Sequence, residues 1–162
     1  KIKNNFSIFL RDYLLSISLI VLCFLSDRIS KIKIIQQQEN GSTLYINDFI
    51  NFDLVWNTGI GFGLFNSLSS LVYNVFTFLI GLVLIFLIYL IFKAKFLDKI
   101  FFSLILVGAL GNFYDRIFYY AVPDFIDFNF NKFYWFTFNI ADIFITLRIM
   151  ILIIKDLFLK NI

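Results

Sequence analysis

Residues Leu68–Phe92 read LSSLVYNVFTFLIGLVLIFLIYLIF, a run with no acid, no base and no proline. A helix that crosses a bilayer needs about 20 mostly apolar residues, and nothing in this run would break one. Working outward, three further apolar spans appear, from about Ile8 to Ile34, Leu97 to Tyr119 and Phe138 to Leu159. Composition agrees. Of the 162 residues, 60% are hydrophobic and only 15% are charged, against an apolar share of about 45–50% in soluble domains. The expected fold class is an α-helical membrane protein with four transmembrane helices, forming a single domain over 1–162. Lys1 and Lys3 ahead of the first span are reminiscent of a signal peptide. No A-x-A-like cleavage site follows, and the span ends in Asp27-Arg28, so it is read as a retained first helix.

Basic residues set the expected orientation. Lys1, Lys3 and Arg11 flank the first span, Lys93, Lys95 and Lys99 fill the short link between spans two and three, and Lys155 and Lys160 end the chain. Both termini and that link are expected in the cytoplasm, with segments 35–67 and 116–137 outside. In the first of these, Ile50, Phe52, Leu54 and Trp56 alternate with Asn51 and Asp53, and Asn40-Gly41 is a turn signal before them. A period of two reads as a half-buried strand, so a small extracytoplasmic sheet is expected between helices one and two. An amphipathic surface loop would give the same pattern.

The chemistry open to such a chain is narrow. There is no histidine, and Cys23 is the single cysteine, lying in an apolar run. His metal sites, Ser-His-Asp and Cys-His pairs, intrachain disulfides and CxxC sites are excluded. The net charge is +3, but the bases lie between apolar runs rather than in a stripe, so no nucleic-acid partner is expected. No metal and no cofactor are expected; acid–base chemistry by carboxylates or lysine stays open.

Ionisable residues at membrane depth are expensive, about 2.5–3.5 kcal/mol each on insertion scales, and here they gather at the outward ends of spans one, three and four. Asp27 and Lys31 share a helix face; they could be an interfacial ion pair or the lining of a polar site. Asn112, Asp115 and Arg116 end the third span, as an anchor or as part of the same lining. Asp124 follows Pro123, which disfavours helix, so a loop or short extended piece is expected there. Asn139 and Asp142 open the fourth span, where an acid also suits the helix dipole. If Asp124 and Asp142 meet at one pocket, their charges oppose each other and one is forced to hold a proton. One carboxylate could then activate a water while the protonated partner bonds a scissile carbonyl.

Five blocks carry a resemblance to a known family. Asp27-Arg28-Ile29-Ser30-Lys31 is similar to D-x-x-[ST]-K, and Trp56-Asn57-Thr58-Gly59-Ile60-Gly61-Phe62 to R/x-N-x-G-x-A-F. Gly108-Ala109-Leu110-Gly111-Asn112-Phe113-Tyr114-Asp115-Arg116 is similar to G-A-L-G-N-x-x-D-R, Val122-Pro123-Asp124-Phe125 to V-x-D-F and Phe138-Asn139-Ile140-Ala141-Asp142 to F-N-x-A-D. In order and spacing the chain resembles the lipoprotein signal peptidase (signal peptidase II) family. That resemblance implies an aspartic endopeptidase of the bacterial inner membrane, a monomer whose partners are membrane lipids and lipid-modified prolipoproteins. It implies cleavage just before the diacylglyceryl-modified cysteine, near the outer leaflet. Asp124 and Asp142 are the implied catalytic pair, with Asp27, Lys31, Asn57, Gly59, Asn112, Asp115, Arg116 and Asn139 in support. Arg28, Gly61, Pro123, Ile143 and Arg148 depart from the family's usual residues; at Arg148 a small residue is usual. Two alternatives are weighed beside it. A small ion-coupled transporter would use Asp27, Asp115 and Asp142 as a path, although the charges sit at one end of the spans. A Ser-Lys peptidase would use Lys31 with Ser26 or Ser30, although Ser30 points to another helix face.

Overall fold

Long apolar runs satisfy their backbone polar groups internally as helices, and the aromatic segments between them pair as strands. The computed structural model describes residues 2–39, 44–59, 70–130 and 133–159. In chain order these form α1 (Ile2–Glu39), β1 (Leu44–Tyr45), β2 (Ile50–Asn57), α2 (Ser70–Lys93), α3 (Phe96–Tyr119), β3 (Val122–Phe130), β4 (Phe133–Phe138) and α4 (Ile140–Leu159). The Asn40-Gly41 turn, Ile60, Gly61 and Phe62 of the second motif block, Lys132 and Lys160 lie outside the described residues.

Among the described residues, Leu10–Gln38 within α1, all of α2 and all of α3 are long and apolar enough to cross a membrane. The 20 residues of α4 stand where the fourth span was expected, but they carry Asp142, Arg148, Lys155 and Asp156. The surface is inverted relative to a soluble protein. Leu22, Phe78, Ile85 and Leu157 are each 67% exposed, whereas Asp27, Lys31, Asp115 and Asn139 are at most 1% exposed. Apolar side chains thus face outward and the charged ones inward, as lipid surroundings demand. Leu84, Leu87, Ile91 and Leu106 form the core of the α2–α3 contact, joined by Ile20 from α1.

The sheet is antiparallel with strand order β1-β2-β3-β4. It corrects the expectation that the sheet comes from the segment between helices one and two: half of it comes from the segment between α3 and α4. Of the loop and the short extended piece expected at Asp124, the extended form is found, longer than expected: the residue lies near the start of a nine-residue strand. Pro123 is tolerated because it stands at the strand's end, where the missing N–H matters least. A third difference is that α1 runs on to Glu39: the Gln36-Gln37-Gln38-Glu39 stretch is polar but made of good helix formers. Element order puts the sheet at one end of the bundle and the α2–α3 link at the other.

Two glycines let α3 approach its neighbours. A Cβ on Gly108 would stand 2.5 Å from the Ala141 carbonyl oxygen and 2.6 Å from Ile145 Cγ1; one on Gly111 would stand 2.7 Å from Asp27 Oδ2. Small residues at helix contacts serve this purpose in membranes, and here they draw α1, α3 and α4 together just below the sheet.

Candidate functional site

The α1–α3 contact encloses a set of charges. Lys31 Nζ, fully buried, donates to Asp27 Oδ2 at 2.9 Å, Asn112 Oδ1 at 3.0 Å and Asp115 Oδ2 at 2.7 Å. An ammonium has three donors, and all three are used. Arg28 completes the balance: its Nη2 lies 2.5 Å from Asp115 Oδ1, an ion pair whose angle falls short of a hydrogen bond. Its guanidinium also stacks 4.8 Å from the Tyr114 ring centroid. Sequence reading missed this role of Arg28. The available signal was charge balance, since two buried acids beside one lysine leave an unpaired negative charge, which burial makes costly.

The first turn of α4 is held by side chains from across the molecule. Asn139 is its N-cap, with Oδ1 accepting from Asp142 N at 3.1 Å, while Asp142 Oδ2 accepts from Asn139 N at 3.2 Å. This reciprocal arrangement is a capping box with Asn and Asp in place of the usual pair. Asp27 Oδ1 accepts from Ala141 N at 3.0 Å, satisfying another free donor of the helix end. Asp142 Oδ1 accepts from Asn112 Nδ2 at 2.8 Å. The capping explanation for Asp142 is therefore correct as far as it goes, but capping uses one oxygen of a carboxylate that has two.

Asp124 is 2% exposed. Its Oδ2 accepts from Asn57 Nδ2 at 2.8 Å and its Oδ1 from Asn139 Nδ2 at 2.5 Å. Asn139 therefore touches both aspartates, gripping Asp124 with its amide nitrogen and the backbone of Asp142 with its amide oxygen. Asn57 reaches Asp124 because of a bulge. Phe52 pairs with Ile126 but Val55 with Asp124, so one extra residue in β2 shifts the register. Side chains alternate along a strand, and one inserted residue moves those beyond it to the other face. The shift puts Asn57 on the Asp124 side and overturns the expectation that Trp56 shares a side with Phe52. Asn57 Oδ1 in turn accepts from Gly59 N at 2.8 Å, and Arg116 Nη2 donates to Gly59 O at 2.7 Å. Tyr73 supports that end by donating to the Arg116 carbonyl at 3.1 Å.

All ten residues singled out from sequence thus lie on one connected network, running from Asp27 and Asp115 through Lys31, Asn112, Asp142, Asn139, Asp124, Asn57 and Gly59 to Arg116. The Ser-Lys alternative fails here. Ser26 donates to the Cys23 carbonyl and Ser30 to the Asp27 carbonyl, and Lys31 has no donor left. Burial, and next the charge of Asp142, push the Asp124 carboxyl up to about 7; the Asn57 and Asn139 amides oppose the rise. Beside the pair lies a cleft of 320 Å³ lined by Phe128, Phe136, Phe138, Asp142, Ile143, Thr146 and Leu147. Among the described residues, Asp142 is the one ionisable group on a wall that is otherwise apolar and aromatic apart from Thr146.

Comparison with known proteins follows the same lines. A profile of the signal peptidase (SPase) II family matches residues 19–158, a stretch that includes every residue of the network. The chain belongs to the signal peptidase II family. It is 46% identical to a lipoprotein signal peptidase of Pelagibacter ubique over 154 residues, covering 94% of this chain and 93% of the relative. It is 38% identical to a lipoprotein signal peptidase of Thermodesulfovibrio yellowstonii, covering 91% of this chain and 97% of that one. A bacterial membrane enzyme solved by the in meso method at 2.3 Å resolution is similar in structure, with a TM-score of 0.75 at 32% identity over 91% of this chain and 88% of its own. Membership in the signal peptidase II family makes the chain a membrane-embedded protease that acts as a lipoprotein signal peptidase.

Proposed function

We propose that this family member is an aspartic endopeptidase of the bacterial cytoplasmic membrane, in which Asp124 and Asp142 together cleave diacylglyceryl-modified prolipoproteins just before the lipidated cysteine. The observation that carries this reading is the meeting of two carboxylates from separate elements around the single amide of Asn139, at the edge of an apolar cleft. No buried cation forms an ion pair with either acid among the described residues; amides bond them directly, and Lys31 and Arg116 act on them only through space.

In this mechanism the pair shares one proton. Asp124, raised to about 7, carries it and donates a hydrogen bond to the scissile carbonyl oxygen. The ionised Asp142 takes a proton from a water whose oxygen attacks the carbonyl carbon, while Asp124 passes its proton to the carbonyl oxygen, giving a tetrahedral diol. The C–N bond then breaks as the proton held by Asp142 passes to the leaving nitrogen, and the carbonyl re-forms as the other proton returns to Asp124. The groups oscillate between acid and base, as efficient acid–base catalysis requires. The Phe128, Phe136 and Phe138 wall suits a substrate that arrives from lipid and is itself lipid-modified. In the same proposal α4 crosses the bilayer with the other three helices, the termini and the α2–α3 link lie in the cytoplasm, and the sheet lies outside.

The test is gel-shift cleavage of a diacylglyceryl-modified precursor beside its unlipidated form. The wild type is expected to process the lipidated form alone. Asp124→Asn and Asp142→Asn are each expected to lower the rate by about 10²–10⁴-fold, the usual span for a general acid or base, with helical content kept by circular dichroism. Wild-type turnover by either variant would refute the assignment.

A further inference from the structure

The aspartate pair is held by α1, α3, α4 and the sheet, while α2 carries no acid and no base before Lys93. Yet α2 reaches the network through one side chain. Tyr73 is 9% exposed. Its hydroxyl donates to the Arg116 carbonyl oxygen at 3.1 Å, and its ring centroid lies 5.9 Å from the Arg116 guanidinium carbon. Thr77, one turn on, donates to the Tyr73 carbonyl at 2.9 Å. In a chain with 24 phenylalanines, packing alone would be met by one more, so the hydroxyl is the part that needs a reason. A buried tyrosine hydroxyl takes a partner. The partner here belongs to the last turn of α3, where carbonyls have no intrahelical donor.

Tyr73 thus meets both the backbone and the side chain of Arg116, and two paths lead from Arg116 to Asp124. Along the backbone, α3 ends at Tyr119, and Tyr120, in the left-handed region at φ 55°, turns the chain into β3. Along the side chains, Arg116 Nη2 donates to Gly59 O at 2.7 Å, Gly59 N donates to Asn57 Oδ1 at 2.8 Å, and Asn57 Nδ2 donates to Asp124 Oδ2 at 2.8 Å. This second path has a direction. An amide side chain has one oxygen that accepts and one nitrogen that donates. With its oxygen held by Gly59 N, Asn57 turns its nitrogen to Asp124. With Gly59 released, the amide could rotate and set its oxygen against the carboxylate.

We propose that Tyr73 is a positioning residue for the hydrolysis: by holding Arg116 it locks the Asn57 amide with its nitrogen toward Asp124. The proposal rests on the aspartate mechanism above and adds to it a device that sets the strength of the acid. The groups that face Asp124 are Asn57 of β2, Arg116 of α3, Lys31 of α1, and Asn139 and Asp142 at the start of α4. Burial and the charge of Asp142 raise the Asp124 carboxyl, and the two amides and Lys31 oppose the rise. A donor to the ionised form lets a carboxyl release its proton more readily. Without the Asn57 donor, Asp124 keeps its proton to higher pH and yields it less readily to the substrate.

Tyr73→Phe removes the hydroxyl and keeps the ring. Cleavage of the diacylglyceryl-modified precursor by the full chain in detergent is followed over a pH series. The expected result is a fall in kcat of about three- to tenfold, as for one neutral hydrogen bond, with KM unchanged. The decline in rate at high pH is expected to move up by about half a unit. In an Asn57→Ala background the same substitution should change neither quantity, because the last link is already gone. Changes of equal size in both backgrounds would route the effect past Asn57 and overturn the proposal. So would a wild-type kcat and pH profile in Tyr73→Phe, whether or not the melting temperature falls. Asp124→Asn, measured alongside, separates the two readings. If it still cleaves, the aspartate mechanism fails; if it is inactive while Tyr73→Phe matches the wild type, the role of Tyr73 alone fails.

Discussion

The Lys31 cluster and the aspartate pair are built from the same kinds of residue, lie side by side and share Asn112, yet they differ in charge balance. Around Lys31, two acids face two bases and every ammonium donor is taken. At Asp124 and Asp142, two acids face amide nitrogens and an open cleft. A buried cluster that is neutral within itself has nothing left to offer a substrate and serves as scaffold. A buried cluster that is not neutral holds a proton it is ready to give up. Burial of carboxylates is common to both regions and does not distinguish them; the identity of their partners does.

That contrast can be broken or sharpened by experiment. The largest effect is expected from Lys31→Met, which strands Asp27 and Asp115 without their lysine. Removing one partner of a buried pair costs about 3–5 kcal/mol, so thermal melting in detergent should show severe destabilisation. An unchanged midpoint would show that the cluster is not the scaffold described. Next comes Gly108→Ala, whose Cβ would collide with the Ala141 carbonyl and Ile145. Overpacking of this kind costs about 1–3 kcal/mol, and pushing α4 away from α3 should lower kcat as well. A variant as stable and active as wild type would mean that the helices have room to move apart. Asn112→Leu cuts the one side-chain-to-side-chain bridge between the regions among the described residues, removing a Lys31 acceptor and an Asp142 donor together. Its expected loss is about tenfold in kcat, near 1.4 kcal/mol, with a smaller fall in stability; a purely structural role would lower stability and leave kcat intact.

The smallest and most diagnostic effect is that of pH. Asp124 is raised from the ordinary carboxylate range to about 7, and the proposed mechanism needs its protonated form. Cleavage should therefore decline as pH rises through about 7. The stability contribution has the same sign. A raised folded-state value means stabilisation is complete below the ordinary carboxylate range and is lost as pH rises through about 7. A rate that keeps climbing above pH 8 would assign the proton to another group.

Much of this was legible in the chain. The limits of α2 and α3 agree with the apolar runs to within about two residues, because a bilayer imposes length and apolarity that sequence cannot hide. Seven network residues were marked by being polar at the ends of apolar spans, where polarity is expensive; Asp124 was marked by the Pro123 before it, and Asn57 and Gly59 by the family resemblance alone. The strands β3 and β4 were not legible. In β3 one face carries Asp124 with Ile126 and Phe128, the other Phe125 with Asp127 and Asn129, so neither is cleanly apolar and the period-two signal vanishes. The β2 bulge was invisible for a related reason: the alternation from Ile50 to Trp56 looks unbroken in sequence, and only the register against β3 reveals the extra residue. Arg28 was hidden because its role is defined by Asp115, far along the chain.

Asn139 starts α4 and grips Asp124 with the same side chain. On the proposed mechanism, nucleating that helix and completing the aspartate pair are consequently one event rather than two. By that reading a chain newly threaded into the bilayer, with its last helix still unwound, would hold no competent pair and cut nothing, its own neighbours included. Maturation of the fold is thereby the enzyme's own safety catch.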